Sequence, residues 1–127
     1  MKFAKTVFLL AGLFGVVALA PLYFMEARIG SDFPPAVTHP EFFYGFVGVA
    51  LAWQFAFLLM SRDPVRFRPL MLAAVLEKFS FSLAVFALYA QGRAAALLLP
   101  FAATDFLLGV LFIAAFWNTR QAANYAK

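Results

Sequence analysis

Residues 70–90 read LMLAAVLEKFSFSLAVFALYA. Apart from Glu77, Lys78, Ser80, Ser82 and Tyr89, every side chain in this stretch is apolar. A run of this length matches the roughly 20 helical residues needed to cross a hydrocarbon core of about 30 Å. Two opposite charges stand side by side in its middle. A charge facing lipid at mid-depth costs about 2.5–3.5 kcal/mol on insertion scales. The pair therefore predicts a protein-lined interior, with neighbouring helices to form it.

The rest of the chain supplies those neighbours. Of its 127 residues 65% are hydrophobic and 13% charged, about half the charged fraction of an ordinary soluble domain. A soluble chain this small could not hide so much apolar surface, so lipid is the expected solvent for most of it. The formal charge of +4 falls at the ends of apolar runs. It forms no basic stripe with interleaved aromatics, so nucleic acid is not an expected partner. The chain has no cysteine, which excludes disulfides, thiolate catalysis and zinc–thiolate sites.

Besides 70–90, apolar runs cover residues 6–25, 42–60 and 94–117. Backbone polar groups in lipid must satisfy one another, so the runs are expected as helices. The predicted fold is an all-α transmembrane four-helix bundle forming a single integral membrane domain over residues 1–127. The first run carries Lys2 and Lys5 and ends near Ala18-Leu19-Ala20, much as a signal peptide would. It is longer than a signal-peptide core of about 7–15 residues, and Pro21 follows the apparent cleavage site. Retention as a membrane helix is the expectation. Lys2, Lys5, Arg62, Arg66, Arg68, Arg120 and Lys127 fall on one side of the bundle, and only Arg28 and Arg93 on the other. That bias predicts both termini in the cytoplasm. Compact size and short connections point to a bacterial inner membrane.

Local signals mark the ends of the runs. THPE, residues 38–41, has the form of a capping box, with Thr38 as N-cap and Glu41 reaching back. Pro69 opens the third span, and Pro100 either kinks the fourth or marks its start. Phe42, Phe43 and Tyr44 at one boundary, with Phe116 and Trp117 at the other, fit interfacial aromatic belts. His39, with Asp32 and Glu41 near it in sequence, offers too few convergent ligands for a metal site, and no cofactor is expected.

Small residues mark packing faces in membranes. Gly48, Ala52 and Ala56 lie at i+4 steps on span two, and Ala102, Asp105 and Gly109 share a stripe on span four. Glu77 and Ser80 share a stripe with Ala73, Ala74 and Ala84 on span three. At 1.5 Å per residue, Glu77 lies about 12 Å, Gln54 about 9 Å and Asp105 about 18 Å from the cytoplasmic ends of their spans. These depths suggest one interior cluster of Gln54, Glu77, Lys78, Ser80 and Asp105. Lys78 is about 100° round from Glu77 and either pairs with Asp105 or extends toward the headgroups. Two acids and one base leave one excess negative charge, which a proton could neutralise.

No nucleophile elbow, phosphate loop, HExxH or nucleotide fingerprint is present. The expected function is binding of a lipid-like ligand, or of a partner membrane protein, through the interior and the helix faces, as an accessory subunit or a homo-oligomer. Membrane lipids are the standing partners, and the Phe-rich spans could line a pocket for a hydrophobic small molecule. A membrane enzyme on an isoprenoid, quinone or sterol-like substrate is the alternative, with Glu77 and Asp105 as catalytic acid and base. A proton-coupled carrier using the same acids in an oligomer is a further one.

The run HPEFFYGF…ALAWQ…DPVRFRPLM…LEK, with the size and span count, resembles the small four-helix membrane proteins of the DoxX-like kind. That resemblance implies the four-helix fold and no defined activity. A more distant likeness is to EXPERA-type proteins, which use intramembrane acids and a histidine around a hydrophobic pocket. It implies Glu77 and Asp105 as the acids, while His39 falls at a loop edge. Small multidrug-resistance transporters share the length, but their essential acid lies in the first span, where this chain has none before Glu26.

Overall fold

The computed structural model describes residues 2–125; Lys127, counted above in the charge bias, lies outside them. Its long helices are α1 (Lys2–Leu19), α3 (Pro40–Arg62), α4 (Leu70–Ala90) and α5 (Leu99–Asn118). A short helix α2 (Glu26–Asp32) lies between α1 and α3, and α6 (Arg120–Tyr125) follows α5. The four long segments are each long and apolar enough to cross a membrane. Their outer surfaces are apolar as well: Val17, Phe42, Leu72, Leu76 and Leu107 are all more than half exposed. This is the pattern of helices solvated by lipid.

Local chemistry sets the boundaries, and several differ from the sequence expectation. Span one starts four residues earlier than expected, at Lys2, and its α-helix ends at Leu19. Residues Ala20–Phe24 continue it as a 3-10 turn, with Pro21 in its first positions. Proline has no N–H to give, so the α-helical ladder cannot run through it unbroken. The capping box does not form. The N-cap of α3 is His39, Pro40 is the first helical residue, and no side chain caps the helix. Glu41 Oε1 instead lies 3.3 Å from His39 Nδ1 in an exposed pair. Pro100 sits in the first turn of α5 and does not kink it. The helix α4 closes on Gly92, whose φ of 70° only glycine adopts freely. Arg93 N–H donates to the Leu88 carbonyl at 2.8 Å and Gly92 N–H to that of Tyr89 at 2.9 Å, the pair of bonds of a Schellman cap.

The four long helices follow a ring in chain order that stays open at one seam. α1 lies between α3 and α5, and α5 lies between α1 and α4. Consecutive helices α3 and α4 are thus at the two ends of the arrangement and leave a groove between them. The core is held by Phe8, Phe57 and Phe112, with ring centroids 4.4 Å apart for Phe8–Phe112 and 5.0 Å for Phe57–Phe112. Met60, Met71, Ala74 and Ala115 pack around these rings. The core residues come from the first half of α1 and α4 and the second half of α3 and α5. Antiparallel helices bring those halves together at one end, so the tight core fills the end nearer the termini.

The small-residue stripe on span two does not lead the packing. Ala52 is exposed, and Gly48 and Ala56 are half-buried. The buried face of α3 is Val47, Ala50, Gln54, Phe57, Met60 and Ser61. Large side chains fill this interface because the close approach is made by α1, through Gly12 and Gly15. A methyl at Gly12 would meet Leu58 at 2.7 Å and the Gln54 carbonyl at 2.9 Å. Gly109 on α5 is buried and does lie on a packing face, against the Phe79 ring.

Candidate functional site

The ionisable side chains of α4 and α5 meet just beyond the aromatic core. Met71, Ala74, Lys78, Ser82 and Val85 form the buried stripe of α4. Lys78 therefore points inward, and its side chain is 5% exposed. The Lys78 ammonium donates to Asp105 Oδ1 at 3.1 Å. It also lies 5.3 Å from the Phe57 ring centroid, within range of a cation–π attraction. Glu77, one residue back, is turned to the side of the stripe. Its Oε2 lies 3.5 Å from the same ammonium, yet it is buried and accepts no hydrogen bond among the described residues. The lysine therefore bridges two carboxylates unequally, hydrogen-bonded to Asp105 and only near Glu77.

This resolves the choice left open for Lys78: it pairs with Asp105 and does not reach for the headgroups. By rise alone the backbones of positions 78 and 105 differ in depth by about 4.5 Å, and the long lysine stem bridges the gap. Ser80 is placed otherwise. Its hydroxyl donates to the Glu77 carbonyl at 3.0 Å and it faces outward on α4. Gln54 is buried, but on the seam with α1. Its Nε2 donates to the Ala50 carbonyl at 2.8 Å, its Oε1 abuts Gly15, and no donor reaches that oxygen among the described residues. The structure thus joins Glu77, Lys78 and Asp105, sets Ser80 at the rim, and gives Gln54 to the α1–α3 contact.

Glu77 also lines the groove between α3 and α4. The groove has a volume of about 790 Å³, and its walls include Phe46, Val49 and Trp53 from α3 with Leu76, Glu77 and Phe81 from α4. Phe46 and Phe81 stack across it, centroids 6.2 Å apart and planes 25° apart. The lining is apolar apart from Glu77 and Ser80. A volume of this order suits a small-molecule ligand. Sequence reasoning missed the α3 wall. Its signal was present, since Phe46, Val49 and Trp53 follow an i, i+3, i+7 spacing, but nothing in the pattern separates a groove-lining stripe from a lipid-facing one.

A smaller hollow of about 360 Å³ lies at the other end, between Tyr23, Glu26, Ala27, Gly30, Val37 and Tyr44. There the Tyr44 hydroxyl donates to Glu26 Oε2 at 2.8 Å, tying α2 to the start of α3. At the opposite end Arg68 donates from Nε to the Phe116 carbonyl at 3.1 Å, with its guanidinium carbon 3.7 Å from that residue's ring centroid. One arginine of the basic loop is therefore a structural tie between the α3–α4 connection and α5, while Arg62 and Arg66 remain exposed.

No protein-family model matches the sequence, and comparisons with curated proteins and with solved structures returned no match. What stands is an all-α chain with four helices long and apolar enough to cross a membrane, and no family is identified.

Proposed function

We propose that this chain is a small integral membrane protein that holds a lipid-like amphiphile in the groove between α3 and α4. Its polar head would lie at Glu77 and its tail against Phe46, Trp53 and Phe81. The observation that carries this is the Glu77 carboxylate, the one ionisable group in the lining of an otherwise apolar groove, whose enclosed Oε2 accepts no hydrogen bond among the described residues and has only a 3.5 Å contact with the Lys78 ammonium. A buried acceptor left unpaired costs about 1–3 kcal/mol, more when charged. A ligand head that donates to the exposed part of the Glu77 carboxylate lowers the cost of holding that group in an apolar wall, and the tail removes apolar wall from contact with a loosely fitting lipid. The Lys and Arg distribution supports cytoplasmic termini, and the short connections support a bacterial inner membrane as the setting.

Native mass spectrometry of gently extracted protein tests the idea. Wild-type protein should retain an amphiphile of lipid-like mass. Ala73→Phe, which places a ring in the groove from its α4 wall, should remain folded and lose the adduct. Wild-type protein that flies clean, or a variant that keeps the adduct, overturns the assignment. Adduct-free dimers would favour a partner chain as the occupant instead.

A further inference from the structure

We infer that the groove selects amphiphiles with a cationic head, of the alkylammonium class, over neutral or anionic ones of the same length. This rests on the groove being a ligand site, as proposed above, and adds the chemistry of the ligand.

Three observations carry it. The first is charge. Two carboxylates face one ammonium, and the hydrogen bond from that ammonium goes to Asp105. Glu77 is left at 3.5 Å with no hydrogen bond. The second is the lining, which adds no lysine, arginine or histidine to the one ammonium that Glu77 shares with Asp105. The third is the aromatic wall. Phe46, Trp53 and Phe81 line the same groove as the carboxylate, and aromatic ring faces attract cations, most strongly when desolvated. Carboxylate and aromatic faces together favour an ammonium. They oppose a carboxylate or phosphate head, which would meet Glu77 as a like charge. Asp105 is a positioning residue here. By taking the hydrogen bond of Lys78 it leaves Glu77 only the longer, 3.5 Å share of that one cation.

Trp53 supplies the readout. The chain has two tryptophans, and Trp117→Phe leaves the groove residue as the only one. Bromine quenches indole fluorescence on contact. The probes are 11-bromoundecylamine, 11-bromoundecanol and 11-bromoundecanoate, titrated at equal mole fraction into micelles of a neutral maltoside. The amine should reach half-quenching at least tenfold below the alcohol, with the carboxylate weakest. Glu77→Gln should abolish the amine's advantage and keep the alcohol's quenching, which shows that the groove is still folded. Glu77→Asp, which keeps the charge, should retain most of the advantage. An amine no better than the alcohol on the wild-type groove overturns the charge selectivity while leaving groove binding intact. An advantage that survives Glu77→Gln also overturns it. Absence of saturable quenching by any probe removes the binding site itself.

Discussion

Lys78 carries the strongest constraint in the molecule. Its ammonium is almost wholly enclosed, and Asp105 is its hydrogen-bonded partner. Removing one member of a buried ion pair typically costs about 3–5 kcal/mol, because the other charge is left uncompensated. Asp105→Asn should fall at the low end, near 3 kcal/mol, since Glu77 is only 3.5 Å from the ammonium and can move in to replace it. Lys78→Met should cost more, because it leaves two carboxylates facing each other with no cation between them. The double variant Lys78→Met/Asp105→Asn should recover part of the loss. Unfolding free energies in mixed micelles check the order. A double variant less stable than either single one would show that the pair is not the main source of the effect. The presence of this cluster was legible in the sequence, because acids and a lysine inside apolar runs have few places to go. Its inner geometry was not. Glu77 and Lys78 are adjacent, and only the packing of α4 on α5 decides which of the two faces inward.

Among the elements, α1 joins α3 to α5, and glycines set its contact with α3. At Gly12 an added methyl would run into the Gln54 carbonyl at 2.9 Å as well as the Leu58 side chain. A side chain can swing aside, but a helix backbone moves only if the two helices separate. Gly12→Ala should therefore destabilise by about 1–3 kcal/mol, the usual range for overpacking. At Gly45 nothing lies within 4 Å of the new methyl, so Gly45→Ala should be neutral or gain up to about 1 kcal/mol from helix propensity. Thermal unfolding of the two variants side by side checks the contrast, and equal destabilisation would contradict the close α1–α3 approach. The long helices were legible because unbroken apolar runs leave no other structure open to them in lipid. The short helix α2 was not. It is seven residues long, polar, and held by its contact with Tyr44, a tertiary effect that no local pattern carries. The stripe Gly48–Ala52–Ala56 misled for a related reason: spacing shows that residues share a face, not which neighbour covers it.

At the scale of the whole molecule, the order α3–α1–α5–α4 explains why a groove exists. It is a ring in chain order in which three seams are packed and the fourth, between α3 and α4, stays open. The α3 and α4 walls stand apart beyond the Phe8–Phe57–Phe112 core, with the charged cluster at the junction. The sequence, through its mostly short connections, points to the chain-order ring but could not reveal which seam opens, because that depends on how side chains pack. It does bear on orientation, because lysine and arginine resist translocation when they flank spans. The end carrying the aromatic core also carries Lys2, Lys5, Arg62, Arg66, Arg68 and Arg120, against Arg28 and Arg93 at the other. The tight end should therefore face the cytoplasm, and the α2 side should face outward. The chain has no cysteine, so single cysteines report orientation without background. Ser31 in α2 and Asn124 in α6 are both exposed and uncharged, which leaves the charge bias untouched when each is replaced. In intact cells a membrane-impermeant maleimide should label Ser31→Cys and spare Asn124→Cys until the membrane is permeabilised. The opposite pattern would place the groove's open end toward the cytoplasm. Labelling of both sites in intact cells would mean that the charge bias does not fix a single orientation.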